Sequence, residues 1–374
     1  MLTSIFIYIG LLSLMILSLK LNNLHLYPIN ANKTFPMSYL LIPSLMFAFI
    51  FGCRYNVGVD YYTYYTDYLY YWSNREIEPG FLLIKETFKN NGLHFALYFG
   101  FIAFIQIFFF MMALRKRAYL YPSILLVLFL SCIELGWMNG IRQSIATCIF
   151  VYATTLIDDK KPIKFIMAIL LAMQFHNSAI ILLPIYFITY IPILKNKWLS
   201  IGVYLLALFI NTLPVERFDV LFTKAADLLG YGDIYDSEMA LVELENNGTG
   251  LGRIILNTIF LILILYSNKL KHFFKNDERW FNIMYNLFII GMFGNMAFNK
   301  CVMLLRPFGY FRIFWAIMAG ILIYYFTKKR TKPKDIVYYI LIGLITLTFI
   351  ANMLNGKSNY MEFHFFWENL IYQK

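Results

Sequence analysis

Apolar runs of roughly fifteen to twenty residues follow one another down this chain, parted by short basic connections and two longer, more polar stretches. A helix rises about 1.5 Å per residue, so about 20 apolar residues cross the ~30 Å hydrocarbon layer of a bilayer. On that measure the pattern predicts helical spans at 2–19, 38–52, 94–114, 119–137, 141–157, 163–175, 177–192, 198–213, 251–267, 280–299, 311–327 and 336–353. The expected architecture is all-α, a polytopic transmembrane helical bundle of about 12 spans. Runs 163–175 and 177–192 are short, and Lys164 and Lys195 flank the pair at its two ends. That favours a hairpin with His176-Asn177-Ser178 at its turn. The run Leu2 to Leu19 lacks the basic leader and small-residue cleavage site of a signal peptide, so it reads as an uncleaved span. No internal repeat, heptad run or low-complexity tract breaks the series, and residues 1–374 read as a single integral membrane domain.

Two loops on the outer side are long, 53–93 and 214–250, and each is expected to carry an amphipathic helix. The first holds Tyr61, Tyr62, Tyr64, Tyr65, Tyr68, Tyr70, Tyr71 and Trp72. Tyrosine and tryptophan concentrate at headgroup depth, so an interfacial aromatic belt accounts for them. Stacking on the apolar faces of sugar rings is the sharper alternative. The second loop is acidic and mixed: 218–229 reads as helix, Gly230-Tyr231-Gly232-Asp233 breaks it, and Asn246-Asn247-Gly248 is a turn. It reads either as a lid over an acceptor or as a plain connector.

Composition agrees with the pattern: 60% of the 374 residues are hydrophobic and only 14% are charged, against about 25% charged in a soluble domain. The net charge of +11 invites a nucleic-acid partner, but no basic helix or aromatic-basic motif supports one. Charge placement explains it better. With twelve spans, the loops assigned inside hold 19 of the 32 Lys/Arg and 5 of the 21 Asp/Glu, leaving 13 and 16 outside. That asymmetry orients the protein, with both termini and the two long loops outside. Cys53, Cys132, Cys148 and Cys301 are scattered without a CxxC pair and read as buried thiols.

Four clusters fall on the outer side in this topology. Asn139-Gly140-Ile141-Arg142-Gln143 places an always-charged guanidinium and an amide at a helix start, with Asn139 expected as N-cap. Free amides and the positive end of the helix dipole beside Arg142 make an anion site; a snorkelling arginine at a helix end is the bland alternative. Arg54 to Asp60 follows the second span, and Gly58 allows a turn folding Asp60 back toward Arg54. An ordinary loop-closing Arg–Asp pair explains that as well. His176 is the third cluster: histidine as a residue type suits a general base at neutral pH, although a lone histidine there is more often structural. Arg306-Pro307-Phe308-Gly309-Tyr310-Phe311-Arg312 puts two more guanidiniums at a helix start. Arginine is the residue for bidentate phosphate contacts, so together these point to an anionic, phosphate-bearing ligand. The sequence lacks HExxH, a DxD-type carboxylate pair, a Walker loop, GxSxG and the Rossmann glycines. No metal, cofactor or nucleotide is therefore expected, and the donor must be activated beforehand, as a lipid diphosphate sugar is.

Arg54-x3-Gly58-x-Asp60 with its tyrosine-rich helix resembles the EpsG/Wzy-type polysaccharide polymerase family. So do Asn139-Gly140-x-Arg142-Gln143-x-x-Ala146 and Phe175-His176-Asn177-Ser178-Ala179 ahead of Leu183-Pro184. The resemblance implies a multi-pass glycosyltransferase of the bacterial inner membrane with its site facing the periplasm or exterior. It would move a growing chain from undecaprenyl diphosphate onto the next lipid-linked unit, building O-antigen, capsule or exopolysaccharide. A flippase and chain-length regulator proteins would be its partners. In that reading Arg142, Arg306, Arg312 and Arg54 hold the diphosphate, His176 or Asp60 takes the acceptor proton, and Gln143, Asn139 and Tyr64 orient sugar hydroxyls. The rivals are a flippase for lipid-linked sugars, which wants charges in a central cavity, a polysaccharide ligase, and an acyltransferase.

Overall fold

The structure is a computed structural model and describes residues 2–28, 33–70, 77–188, 196–214, 224, 250–328, 336–354 and 359–368. The chain divides into two compact units, Met1–Leu183 with Phe349–Lys374, and Pro184–Thr348. The apolar pattern carries no mark of this division, because Leu183-Pro184 lies inside a hydrophobic run.

The first unit contains α1 (Leu2–Leu21), α2 (Leu41–Gly52), α3 (Tyr61–Tyr70), α4 (Pro79–Asn90), α5 (Phe95–Ala113), α6 (Tyr121–Leu130), α7 (Ile133–Gly136), α8 (Ile141–Asp158) and α9 (Pro162–Met173). α5 lies at its centre against α2 and α8, with α9 on α8 and α1 on α2 and α6. Phe47, Phe51, Phe99, Phe110, Ile145 and Phe150 fill the space between them. Beside the helices, the strands β1 (Arg54–Tyr55) and β2 (His364–Phe365) pair antiparallel, Arg54 opposite Phe365. The second unit holds α10 (Ile185–Ile188), α11 (Lys197–Thr212), α12 (Leu251–Phe273), α13 (Glu278–Ala297), α14 (Val302–Leu305), α15 (Ile313–Lys328) and α16 (Ile336–Leu354), whose last turns belong to the first unit. Within it α13 packs on α11 and α15, and nearly all of α15 is buried.

The fold is therefore all-α apart from one two-residue ladder among the described residues. Five helical stretches are long and apolar enough to cross a membrane: Leu2–Leu21, Phe95–Ala113, Leu251–Phe273, Arg306–Lys328 and Ile336–Leu354. α1 exposes Leu2, Phe6, Ile9, Leu14, Leu17 and Leu21 while burying Tyr8, Leu11, Leu12 and Met15. An apolar surface of that size is at home in lipid and not in water.

Helix occurs at every expected span, but two spans are broken. Run 119–137 splits at Ser131–Cys132 into α6 and α7, with Cys132 left-handed at φ 55°. Run 177–192 gives a 3-10 turn, Asn177–Leu182, and the short α10; Pro184 between them has no N–H to continue the ladder. In the first long loop the aromatic helix is α3, and a second helix, α4, follows it. Tyr71, Trp72 and all of loop 214–250 except Pro214, Lys224 and Gly250 lie outside the described residues.

Candidate functional site

α8 begins at a left-handed glycine. Gly140, at φ 51°, is its N-cap and carries no side chain to cap with. The expected N-cap, Asn139, is displaced by one residue and does something else: its Oδ1 accepts the Asp60 amide at 3.5 Å and its Nδ2 donates to the Tyr360 hydroxyl at 2.9 Å. The first amides of α8 are already engaged. Gly140 N–H donates to Asp60 Oδ2 at 2.7 Å, and Ile141 N–H is hydrogen-bonded to the Tyr64 hydroxyl. An exposed helix start draws an anion, and here the anion is the chain's own carboxylate.

Arg142 likewise has an internal partner. Its Nη1 donates to Glu78 Oε2 at 2.5 Å, and the Tyr64 hydroxyl is a second hydrogen-bond partner. Glu78 stands immediately before α4, and its other oxygen, Oε1, lies 3.1 Å from His176 Nδ1 and accepts the Asn177 amide at 3.3 Å. One carboxylate thus joins Arg142 and His176, which are 34 positions apart in the chain. Burial pushes the Glu78 carboxyl up, but the His176 hydrogen bond and the Arg142 guanidinium overcome it and hold its pKa at about 2. Side-chain exposure is 6% for Glu78, 15% for His176 and 24% for Arg142, so the carboxylate is enclosed while both partners reach the surface.

The backbone explains why Glu78 sits there. Pro79 fits the first turn of α4, and the Gly80 and Phe81 amides both donate to the Gln174 carbonyl at the end of α9, at 2.9 and 3.2 Å. A Cβ on Gly80 would lie 2.7 Å from the Gln174 side chain, so only glycine lets α4 dock this closely. Farther along, Lys85 Nζ meets Asp67 Oδ2 at 2.9 Å in a buried ion pair that ties α4 to α3.

The other expected site residues fall as follows. Gln143 and Ser144 are half-buried on the first turn of α8. Arg54 is 2% exposed, donates to the Phe51 carbonyl and stacks on the Phe99 ring at 4.7 Å. Asp60 therefore turns to Gly140, and the Arg54–Asp60 closure expected of Gly58 does not form. A guanidinium so enclosed offers no face to a diphosphate in this conformation. In the second unit Arg306 opens a 3-10 turn, Arg306–Phe311, and is half-buried, while the exposed Arg312 leads directly into α15. Arg253, on the first turn of α12, donates to the Asn295 carbonyl at 3.2 Å and feels the charge of Arg312.

The family model described as the EpsG family matches residues 37–365. The chain belongs to the EpsG family. This makes it a membrane protein of the polysaccharide-polymerase type. No curated protein and no solved structure matches the chain. The matched region of this EpsG-family chain runs from just ahead of α2 through Asp60, Glu78, Arg142, His176 and Tyr360 to β2, so these residues, the rim of the candidate site, all lie inside it. Sequence reasoning missed Glu78, Tyr360 and the Asp67–Lys85 pair. For Glu78 the available signal was Glu-Pro, a carboxylate directly before a proline that starts a helix.

Proposed function

We propose that this EpsG-family protein is a glycosyltransferase that polymerises lipid-diphosphate-linked oligosaccharide units at the outer leaflet, using an undecaprenyl-diphosphate donor. The observation that carries the reading is the Glu78 carboxylate shared by His176 and Arg142. Ionised Glu78 can only accept, so the neutral His176 ring carries its hydrogen on Nδ1 and keeps Nε2 as the basic nitrogen. The acceptor hydroxyl gives its proton to Nε2 as its oxygen bonds to the anomeric carbon of the donor. The bond from that carbon to the phosphate oxygen breaks, and its electron pair leaves with the diphosphate. Fixed cations that grip the leaving group more tightly as its charge grows lower the barrier.

Arg142 is assigned to that grip in the first unit. A guanidinium has five N–H donors, so serving Glu78 and Tyr64 does not exhaust it. Arg306 and Arg312 are the cationic group of the second unit, at the start of α15, and are assigned to phosphate as well. Asp60, fixed against α8, orients the acceptor together with Asn139, Gln143 and Tyr64. The twelve-span topology with this rim outside belongs to the same proposal. It is supported by α8, which carries Arg142 in its first turn and, at its far end, the Arg117–Asp158 and Lys116–Asp159 pairs of the basic loops.

The test is to supply purified protein with a lipid-diphosphate-linked repeat unit and resolve the products on a gel. A ladder of lengthening glycans is expected, lost in His176→Ala and Arg142→Ala. Full ladders from both variants would put the chemistry elsewhere. One observation favours a second reading, transport of the lipid-linked unit: Glu134, 1% exposed, sits in the broken helix pair α6–α7 with only the backbone amides of Glu134 and Leu135 turned toward its carboxyl group. Broken helices and buried ionisable side chains are what transporters use. In a deletion strain, single lipid-linked units facing outward mean polymerase, and units trapped inside mean transporter.

A further inference from the structure

The segment 359–368 returns from the far end of the sequence into the first unit, and it is held there at many points. Ser4 Oγ donates to the Met361 carbonyl at 2.7 Å and accepts the Phe363 amide at 3.0 Å, and the Tyr8 hydroxyl donates to the Tyr360 carbonyl at 3.0 Å. Asn359 Nδ2 reaches the Asn56 carbonyl at 3.4 Å, the β1–β2 ladder follows, and the Phe366 amide donates to the Cys53 carbonyl at 3.0 Å. These anchors present one buried hydroxyl to the rim. Tyr360 OH donates to the Leu135 carbonyl at 3.2 Å and accepts Asn139 Nδ2 at 2.9 Å.

An amide side chain has two ends, and fixing one fixes the other. With Nδ2 committed to Tyr360, Asn139 Oδ1 is aimed at the Asp60 amide, and Asp60 Oδ2 takes the Gly140 N–H. Gly58 makes room for this contact: at φ 103° it lies where a Cβ would stand 2.7 Å from Asn139 Oδ1. The relay runs from the segment 359–368, through Tyr360 and Asn139, to the Asp60 carboxylate at the start of α8.

We propose that Tyr360 is a positioning residue for glycan transfer, acting through Asn139 on Asp60, so that the C-terminal segment is part of the site. The proposal rests on the polymerase reading above. Supporting residues that lock the groups touching substrate preserve their geometry to fractions of an ångström.

The test compares Tyr360→Phe, Asn139→Ala, the double variant and Tyr8→Phe with wild type, measuring kcat and KM for a fluorescent lipid-diphosphate-linked acceptor, normalised to folded protein by thermal melting. Tyr8→Phe removes an anchor of the same segment without touching Asn139, so it separates positioning from general loosening. Tyr360→Phe is expected to lose about tenfold in kcat with KM unchanged, as one hydrogen bond of support is removed. In the Asn139→Ala background the same change should lose nothing more, and Tyr8→Phe should keep wild-type kcat. Equal losses in Tyr8→Phe and Tyr360→Phe, multiplicative losses in the double variant, or wild-type kcat in Tyr360→Phe would each overturn the assignment while leaving the polymerase reading standing. A wild-type protein that extends no lipid-linked unit overturns that reading and this one with it.

Discussion

An arginine, a histidine and a backbone amide meet at the Glu78 carboxylate, whose side chain is 6% exposed. A buried carboxylate needs such partners to stay ionised, and their pull sets the pH at which it fails. Its pKa of about 2 lies below the ordinary 4.5, so its contribution to stability is full above about pH 4.5 and fades as pH falls toward 2. Glu78→Gln should therefore melt below wild type at about pH 6, and the gap should narrow below about pH 4.5 and close only as pH falls below about 2; a gap independent of pH would mean that Glu78 is not ionised in the folded protein. The same variant turns one of the two accepting oxygens into an amide donor, so Arg142 and His176 are no longer both served, and polymerisation should fall about 100-fold with protein level unchanged. Arg142→Lys keeps the charge but loses the planar fork that reaches Glu78 and Tyr64 together. It should lower kcat by about 100-fold, measured as single-turnover transfer. Near wild-type transfer from the lysine variant would mean that charge alone suffices there.

At the scale of elements, α4 is the piece that turns separate motifs into one rim. It docks on α9 through Gly80 and on α3 through the Asp67–Lys85 pair, whose side chains are 9% and 3% exposed. Removing one member of a buried pair strands the other charge. Lys85→Met should destabilise by about 3–5 kcal/mol, whereas Lys85→Met with Asp67→Leu should recover most of that loss; denaturant melts in detergent distinguish the two. If the double variant is as unstable as the single one, the pair is not what holds α4 to α3. None of this was legible in the sequence, and the reason is physical. The helices, five of them long and apolar enough to cross a membrane, were legible because a continuous apolar run marks them and the 3.6-residue repeat needs no distant partner. Glu78 was not, because its meaning depends on His176, 98 positions away, and Arg142, 64 positions away. Arg54 and Asp60 were legible as charges beside a turn, but not as strangers to each other. Local spacing permits a pair there, and the aromatic wall of α5 draws the guanidinium away. Asn139 was read as a cap for a similar reason: Asn-Gly before a helix fits that role, while the Tyr360 hydroxyl that claims its amide lies 221 residues downstream.

For the whole molecule, the orientation in the membrane proposed above rests on charge. α8 is 18 residues long, so its two ends stand about 27 Å apart, close to the thickness of the hydrocarbon layer. The rim occupies one end, and Lys116, Arg117 and Lys161 gather at the other with Asp158 and Asp159. Basic loops stay on the cytoplasmic side, and on that rule the proposed orientation has the rim outside, where a flipped lipid-linked unit would be met. A cysteine-free variant lacking Cys53, Cys132, Cys148 and Cys301 allows a direct reading with single cysteines. Asn91, exposed just past α4, and Lys161, exposed just past α8, sit on opposite sides in this orientation. An impermeant maleimide added to spheroplasts should label Asn91→Cys at once and Lys161→Cys only after the membrane is opened. The reverse pattern would turn the rim toward the cytosol. His176 and Glu78 would then face a compartment that holds nucleotide-activated sugars, and transfer between lipid-linked units at the outer leaflet would lose its physical basis.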